Sequence, residues 1–138
     1  MTNEITSSWV DGQPDAQVPI SDRGLLYGDG VFRTMLVWNG GVEDAAGHLR
    51  HLREDCQSLG LAPLPDAVLQ REWALAAGQL GQGVLKQIVT AGDGPRGYRR
   101  PARPRLRRML IATGLPALPA AYWQHGIRAQ SLPLRWRD

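Results

Sequence analysis

Cysteine is almost missing: Cys56 stands alone in 138 residues. A single thiol cannot close an internal disulfide, which makes a reducing cytoplasm the expected setting. Long apolar runs are missing too. No stretch approaches the roughly 20 residues that a membrane-spanning helix needs, so no membrane partner is expected. The start Met1-Thr2-Asn3-Glu4 has neither the basic opening nor the apolar stretch of a secretory signal. Lysine occurs once, at Lys86, against 15 arginines, so the basic character rests on guanidinium groups. There is no internal repeat and no long low-complexity tract. The chain is 43% hydrophobic and 21% charged, a globular composition of one domain's length, enough for a sizeable core.

The net charge of +3 conceals an uneven distribution. Residues 1–66 hold 10 acids and 4 bases, and residues 67–138 hold 3 acids and 12 bases. Ser8-Trp9-Val10 before Asp11-Gly12 reads as a short strand and turn, and Gln17-Val18-Pro19-Ile20 as a second extended piece. Val31–Trp38 alternates with period two, and Asn39-Gly40 is a hairpin turn into Gly41-Val42. Asp44 is a candidate N-cap for a helix whose stripe is Leu49, Leu52, Cys56 and Leu59 and whose stop is Gly60. A second helix is predicted from Asp66 to Leu80, burying Leu69, Trp73, Ala76 and Leu80 and ending at Gly81. Val84–Ala91 and Leu106–Thr113 read as strands around a loop rich in glycine, proline and arginine; Leu115–Pro119 reads as a linker and Ile127–Trp136 as a further strand. The order predicts an α+β fold, a mostly antiparallel sheet with two helices packed on one side.

The densest run is Ser21-Asp22-Arg23-Gly24-Leu25-Leu26-Tyr27-Gly28-Asp29-Gly30-Val31-Phe32-Arg33-Thr34. Polar turn clusters bracket short apolar pieces, and glycines at 24, 28 and 30 permit tight turns or close ligand approach around Tyr27. Thr34 on the following strand faces either a pocket or nothing in particular. Gly92-Asp93-Gly94-Pro95-Arg96-Gly97 matches a dinucleotide-binding spacing, but Pro101 and Pro104 prevent the helix that such a loop must open. Arg96 and Tyr98 have another use there, since a guanidinium grips a carboxylate as a planar fork and a phenol adds a hydrogen bond from the same side. The alternative is a solvated turn. Lys86 shares a strand face with Val84 and Ile88; burying its ammonium unpaired would cost several kcal/mol, so it meets solvent, a cleft or an anion, or serves as an edge-strand solubility lysine.

His48, His51 and Cys56 lack a fourth ligand, and Cys56 lies on the apolar stripe, so no metal site is expected. The run Arg99, Arg100, Arg103, Arg105, Arg107 and Arg108 is punctuated by prolines without an aromatic platform beyond Tyr98. It reads as solvated loop and strand edge, not as a nucleic-acid surface, though it could draw in an anionic substrate. Trp9, Trp38, Trp73, Trp123 and Trp136 read as core or interface residues.

The run at 21–34 resembles the N-terminal signature of the fold-type IV pyridoxal-phosphate enzymes, Asp-Arg-x-x-x-Tyr/Phe-Gly-Asp-Gly-x-Phe. The likeness continues in family order through Gly47-His48-Leu49-Arg50-His51-Leu52, Gly83-Val84-Leu85-Lys86 and Gly94-Pro95-Arg96-Gly97-Tyr98. Phe32-Arg33-Thr34 is more similar to the 4-amino-4-deoxychorismate lyase branch than to the aminotransferases, which often carry Phe-Glu there. The resemblance implies pyridoxal phosphate as cofactor and a lyase reaction that releases pyruvate to give 4-aminobenzoate for folate synthesis. Its alternatives are a class IV aminotransferase of D- or branched-chain amino acids, or a non-catalytic remnant or binding module.

The resemblance places Tyr27, Thr34, Lys86, Arg96 and Tyr98 on the substrate side. It places His51 where the family's phosphate-binding arginine stands. It implies a small anionic substrate and a homodimer. The Schiff-base lysine is expected beyond Asp138, so no catalytic lysine is expected within this chain. Residues 1–115 would then be the N-terminal domain and 116–138 a linker with the first strand of an incomplete second domain. Such a fragment is expected to be inactive alone and to expose apolar surface along Ile127–Trp136.

Overall fold

The computed structural model describes residues 4–133. Six strands form one antiparallel sheet in the order β2-β1-β6-β5-β3-β4, from β1 (Ile5–Val10), β2 (Gln13–Pro14), β3 (Gly30–Trp38), β4 (Gly41–Val42), β5 (Gly83–Thr90) and β6 (Arg107–Thr113). Four helices accompany them: α1 (Arg23–Tyr27), α2 (Ala45–Ser58), α3 (Asp66–Leu80) and α4 (Ala120–His125). The fold is α+β, as the order of sequence patterns predicts.

Strand alternation sorts side chains onto two unlike faces. On one face Met35, Val37, Leu85, Val89, Leu110 and Ala112 are buried against Leu49, Leu52 and Cys56 of α2 and Leu69, Trp73, Ala76 and Ala77 of α3. Both long helices therefore lie on the same side of the sheet. A polar bridge locks α3 to the centre of this face. The Trp73 Nε1–H donates to Gln87 Oε1 at 2.8 Å, while Gln87 Nε2 donates to the carbonyls of Ile88 and Met109 at 3.1 Å. Gln87 is fully buried, so these bonds discharge a side chain that would otherwise be costly inside.

The opposite face carries Phe32, Thr34, Leu36 and Trp38 of β3 beside Val84, Lys86 and Ile88 of β5, with Thr34 paired to Lys86 and Phe32 to Ile88. Among the described residues neither long helix covers this face, α1 borders only its Phe32–Ile88 end, and Phe32, Leu36 and Trp38 are exposed. Of the five tryptophans, Trp73 is core and Trp9 packs against it, whereas Trp38 and Trp123 stand in solvent; Trp136 lies outside the described residues.

The structure corrects three element assignments. The apolar pieces Arg23–Tyr27 close into the short helix α1, because Asp22 caps Gly24 N and Leu25 N and Gly28 ends the turn at φ 64°. Gln17–Ile20 joins no strand; the partner of β1 is instead Gln13–Pro14, paired through the turn at Asp11-Gly12. The strand expected over Ile127–Trp136 is not formed in residues 127–133, and residues 134–138 lie outside the described residues. Residues 127–133 join no strand of the sheet, and their backbone groups are left to water. The helix α4 precedes it, started by Pro119 and the helix-favouring Ala120 and Ala121.

Candidate functional site

Asp22 and Arg23 begin α1 with their side chains buried at 0% and 2% exposure. Asp22 Oδ1 caps the helix, and its Oδ2 accepts from Thr90 Oγ1 at 2.8 Å and from Arg107. Arg107 also donates to Asp93 Oδ2 at 2.6 Å, and Ser21 Oγ to Asp93 Oδ1 at 2.7 Å, which fastens the start of the 92–105 loop. Those bonds, Arg107 foremost, hold the Asp93 carboxyl below its usual range.

Arg23 turns toward the same loop. Its Nε donates to Asp29 Oδ2 at 2.8 Å, and its two terminal nitrogens donate to the carbonyls of Gly97 at 3.1 Å and Tyr98 at 2.8 Å. The guanidinium also lies 4.8 Å above the Tyr27 ring. Tyr27 Oη accepts from Gly97 N at 2.8 Å, which leaves its own proton free to donate outward. Asp29 takes a second arginine, Arg100, whose remaining nitrogen donates to the carbonyls of Leu59 and Gly60 at 3.0 Å. Arg100 first, then Arg23, keeps the Asp29 carboxyl below the ordinary carboxylate range against the opposing effect of burial.

The result is a loop pinned along its backbone while its side chains project. Arg96 is exposed, and Tyr98 is 89% exposed with its ring centroid 5.5 Å from that of Tyr27. Tyr27, Arg96 and Tyr98 therefore form one group. Thr34 and Lys86 form another, side by side on the uncovered sheet face, with Lys86 Nζ 4.5 Å above the Phe32 ring. Between α1 and that face lies an open cavity of about 500 Å³ lined by Val18, Leu25, Phe32, Ile88 and Met109, with Asp22 and Thr90 as polar members. His51 belongs to neither group. It sits exposed on α2 with Nδ1 3.0 Å from Glu54 Oε2.

Next to it, His48 Nδ1 is buried without a hydrogen-bond partner, and burial together with the Arg33 charge lowers its pKa. Burial pushes the Cys56 thiol up, away from reactivity. No helix among the described residues is long and apolar enough to cross a membrane.

Comparison with known proteins finds relatives of two activities, lyases and aminotransferases. Aminodeoxychorismate lyase from Vibrio harveyi is 34% identical over 91 residues, 65% of this chain and 33% of that protein. The crystal structure of 4-amino-4-deoxychorismate lyase from Pseudomonas aeruginosa superimposes with a TM-score of 0.80 at 44% identity, over 87% of this chain and 44% of that one. The chain has the fold of the N-terminal part of the fold-type IV pyridoxal-phosphate enzymes. A putative branched-chain-amino-acid aminotransferase from Methanocaldococcus jannaschii is also similar, 32% identical over 139 residues, 95% of this chain and 45% of that protein. No protein-family model matches the chain. The chain spans a third to under half the length of the curated relatives it matches.

In this fold-type IV chain the signature residues Asp22, Arg23 and Asp29 are a scaffold for a distant loop. Sequence patterns alone give them no role in the site. Their signal was the charge alternation Asp-Arg…Gly-Asp-Gly in a run with few other charges. The arginine run needs correction for the same reason. Arg100, Arg107 and Arg108 are not solvated edge residues but ion-paired ones, the last through Glu72 Oε1 at 2.9 Å. Arg99, Arg103 and Arg105 remain exposed.

Proposed function

We propose that this chain supplies the N-terminal, substrate-facing part of a 4-amino-4-deoxychorismate lyase, the enzyme that releases pyruvate and leaves 4-aminobenzoate for folate synthesis. One observation carries the reading: the Arg96-Gly97-Tyr98 backbone is held at three points by Arg23 and Tyr27. A guanidinium and a phenol thus face outward from a fixed segment. That is the donor set for a carboxylate, and the substrate of such a lyase is a small dicarboxylate. Support also comes from the 44% identity to a solved lyase. In this reading Arg96 and Tyr98 bind one carboxylate, Tyr27 orients its neighbour, and Lys86 with Thr34 meets the substrate on the sheet face. Residues 1–115 would form the N-terminal domain, and 116–138 the linker to a second one. A cytoplasmic homodimer completes the proposal.

Pyridoxal phosphate requires an amine for its aldehyde and several donors for its phosphate dianion. The single lysine, Lys86, rests over Phe32, and His51, at the family's phosphate position, is engaged by the Glu54 carboxylate. The described residues therefore fit the substrate side of such a site and do not form its cofactor-anchoring side. Purified 1–138 is accordingly expected to release no pyruvate from 4-amino-4-deoxychorismate, and turnover by it would overturn this assignment of roles.

The similarity to a putative aminotransferase over 95% of the chain favours a second reading, transamination of branched-chain or D-amino acids. The polypeptide expressed from the whole reading frame decides between them. Pyruvate release with 4-aminobenzoate formation supports the lyase; 2-oxo acid exchange without pyruvate release supports the aminotransferase. Neither activity, with ligand binding alone, supports a non-catalytic module.

A further inference from the structure

Arg100 joins three parts of the chain that are far apart in sequence. Its Nε and one terminal nitrogen engage both oxygens of Asp29, at the end of the α1 turn. Its other terminal nitrogen is shared by the carbonyls of Leu59 and Gly60, each at 3.0 Å, just past the last turn of α2. A helix C-terminus presents carbonyls without intrahelical partners and a partial negative charge, and a guanidinium there satisfies both. Asp29 is at the same time the anchor for Arg23, which reads the carbonyls of Gly97 and Tyr98. The 97–100 segment is thus tied to α1 through Asp29 and to α2 through Arg100, and it cannot shift without breaking one tie.

We propose that Arg100 is a positioning residue. It fixes the Arg96-Gly97-Tyr98 segment against the end of α2, so that the anion-facing side chains and the helix move as one unit. The proposal rests on the carboxylate-binding reading above only for what the segment holds. A lysine at the position has one nitrogen and cannot fork to Asp29 while also reaching two carbonyls. The planar fork itself is the requirement.

The amide of Gly97 reports the arrangement directly, because it donates to Tyr27 Oη. In ¹⁵N-labelled 1–138, Arg100→Gln is expected to speed exchange of the Gly97 amide about tenfold. The amides of Leu85 and Val89 in the central strand should change by less than about twofold. Arg100→Lys should fall between wild type and Arg100→Gln. Lowering the pH should loosen Gly97 in wild type only as Asp29 protonates, and at a higher pH in Arg100→Gln, since Arg100 is the main group holding that carboxyl down. Gly97 exchange unchanged in Arg100→Gln, or accelerated equally with Leu85 and Val89, would overturn the proposal.

Isophthalate serves as a rigid dicarboxylate probe in the same samples. Arg100→Gln should weaken its binding about fivefold and Arg96→Gln should abolish it. If wild type binds no isophthalate, the carboxylate reading of Arg96 fails, and Gly97 exchange still decides the role of Arg100.

Discussion

Asp29 concentrates more consequence than any other side chain. Two guanidiniums converge on it, and Arg23 is 2% exposed. Asp29→Asn would leave a buried guanidinium without its counter-charge, a change that costs about 3 to 5 kcal/mol, read as a lower urea midpoint. The pH dependence follows from the depressed carboxyls of Asp29 and Asp93. Their contribution is complete above the unfolded-state value near 3.8 and is lost as the pH falls below it toward their lower folded values. His48 acts in a different window. Its folded pKa is lowered from 6.5, so the unfolded chain takes up its proton first and stability declines as the pH drops below about 6.5. His48→Gln should flatten a plot of urea midpoint against pH between 7 and 5 while leaving the acid limb near pH 4 in place.

Helices and strands show where sequence patterns suffice and where they do not. The α3 limits coincide with the expected Asp66–Leu80, because Leu69, Trp73 and Ala76 repeat at helical spacing and Gly81 stops the turn at φ 71°. The α2 stripe of Leu49, Leu52 and Cys56 is buried for the same reason, although Leu59 is not. Periodicity speaks only for segments long enough to repeat. The five residues of α1 are too few, and that helix exists because Asp22 caps it and Thr90 and Arg107, from β5 and β6, hold Asp22. No local pattern reveals those partners. Family likeness names Tyr27, Arg96 and Tyr98 as candidates; the contacts that tie them together follow no local pattern, since Tyr27 meets Gly97, Arg23 meets Gly97 and Arg100 meets Asp29 across 70, 74 and 71 positions. One further test belongs at this scale. Trp73→Phe removes the bond to Gln87 and leaves Oε1 unsatisfied in the core, so α3 should loosen from the sheet with a loss of about 1 to 3 kcal/mol, measured by chemical denaturation.

For the molecule as a whole the decisive asymmetry is between the two sheet faces. One is closed by α2 and α3, and the other presents Phe32, Leu36 and Trp38 to solvent. The native chain should therefore bind an apolar dye such as anilinonaphthalene sulfonate without unfolding. Leu36→Lys with Trp38→Arg should lower that fluorescence, Phe32 and the apolar cavity beside it keeping the remainder, and leave the thermal midpoint within a few degrees, because neither side chain belongs to the buried core. The sheet order has a different consequence, one of timing. Strand β1 is made first, yet apart from the two-residue β2 its sheet neighbour is β6, and the contact between Thr6 and Ala112 closes over 106 positions. At synthesis rates of about 5 to 20 residues per second, that leading strand spends roughly 5 to 20 seconds outside the ribosome before its neighbour exists. Trp9 and Val10 pass that interval without the sheet they complete, which makes β1, rather than the arginine-rich loop, the natural client of a nascent-chain chaperone.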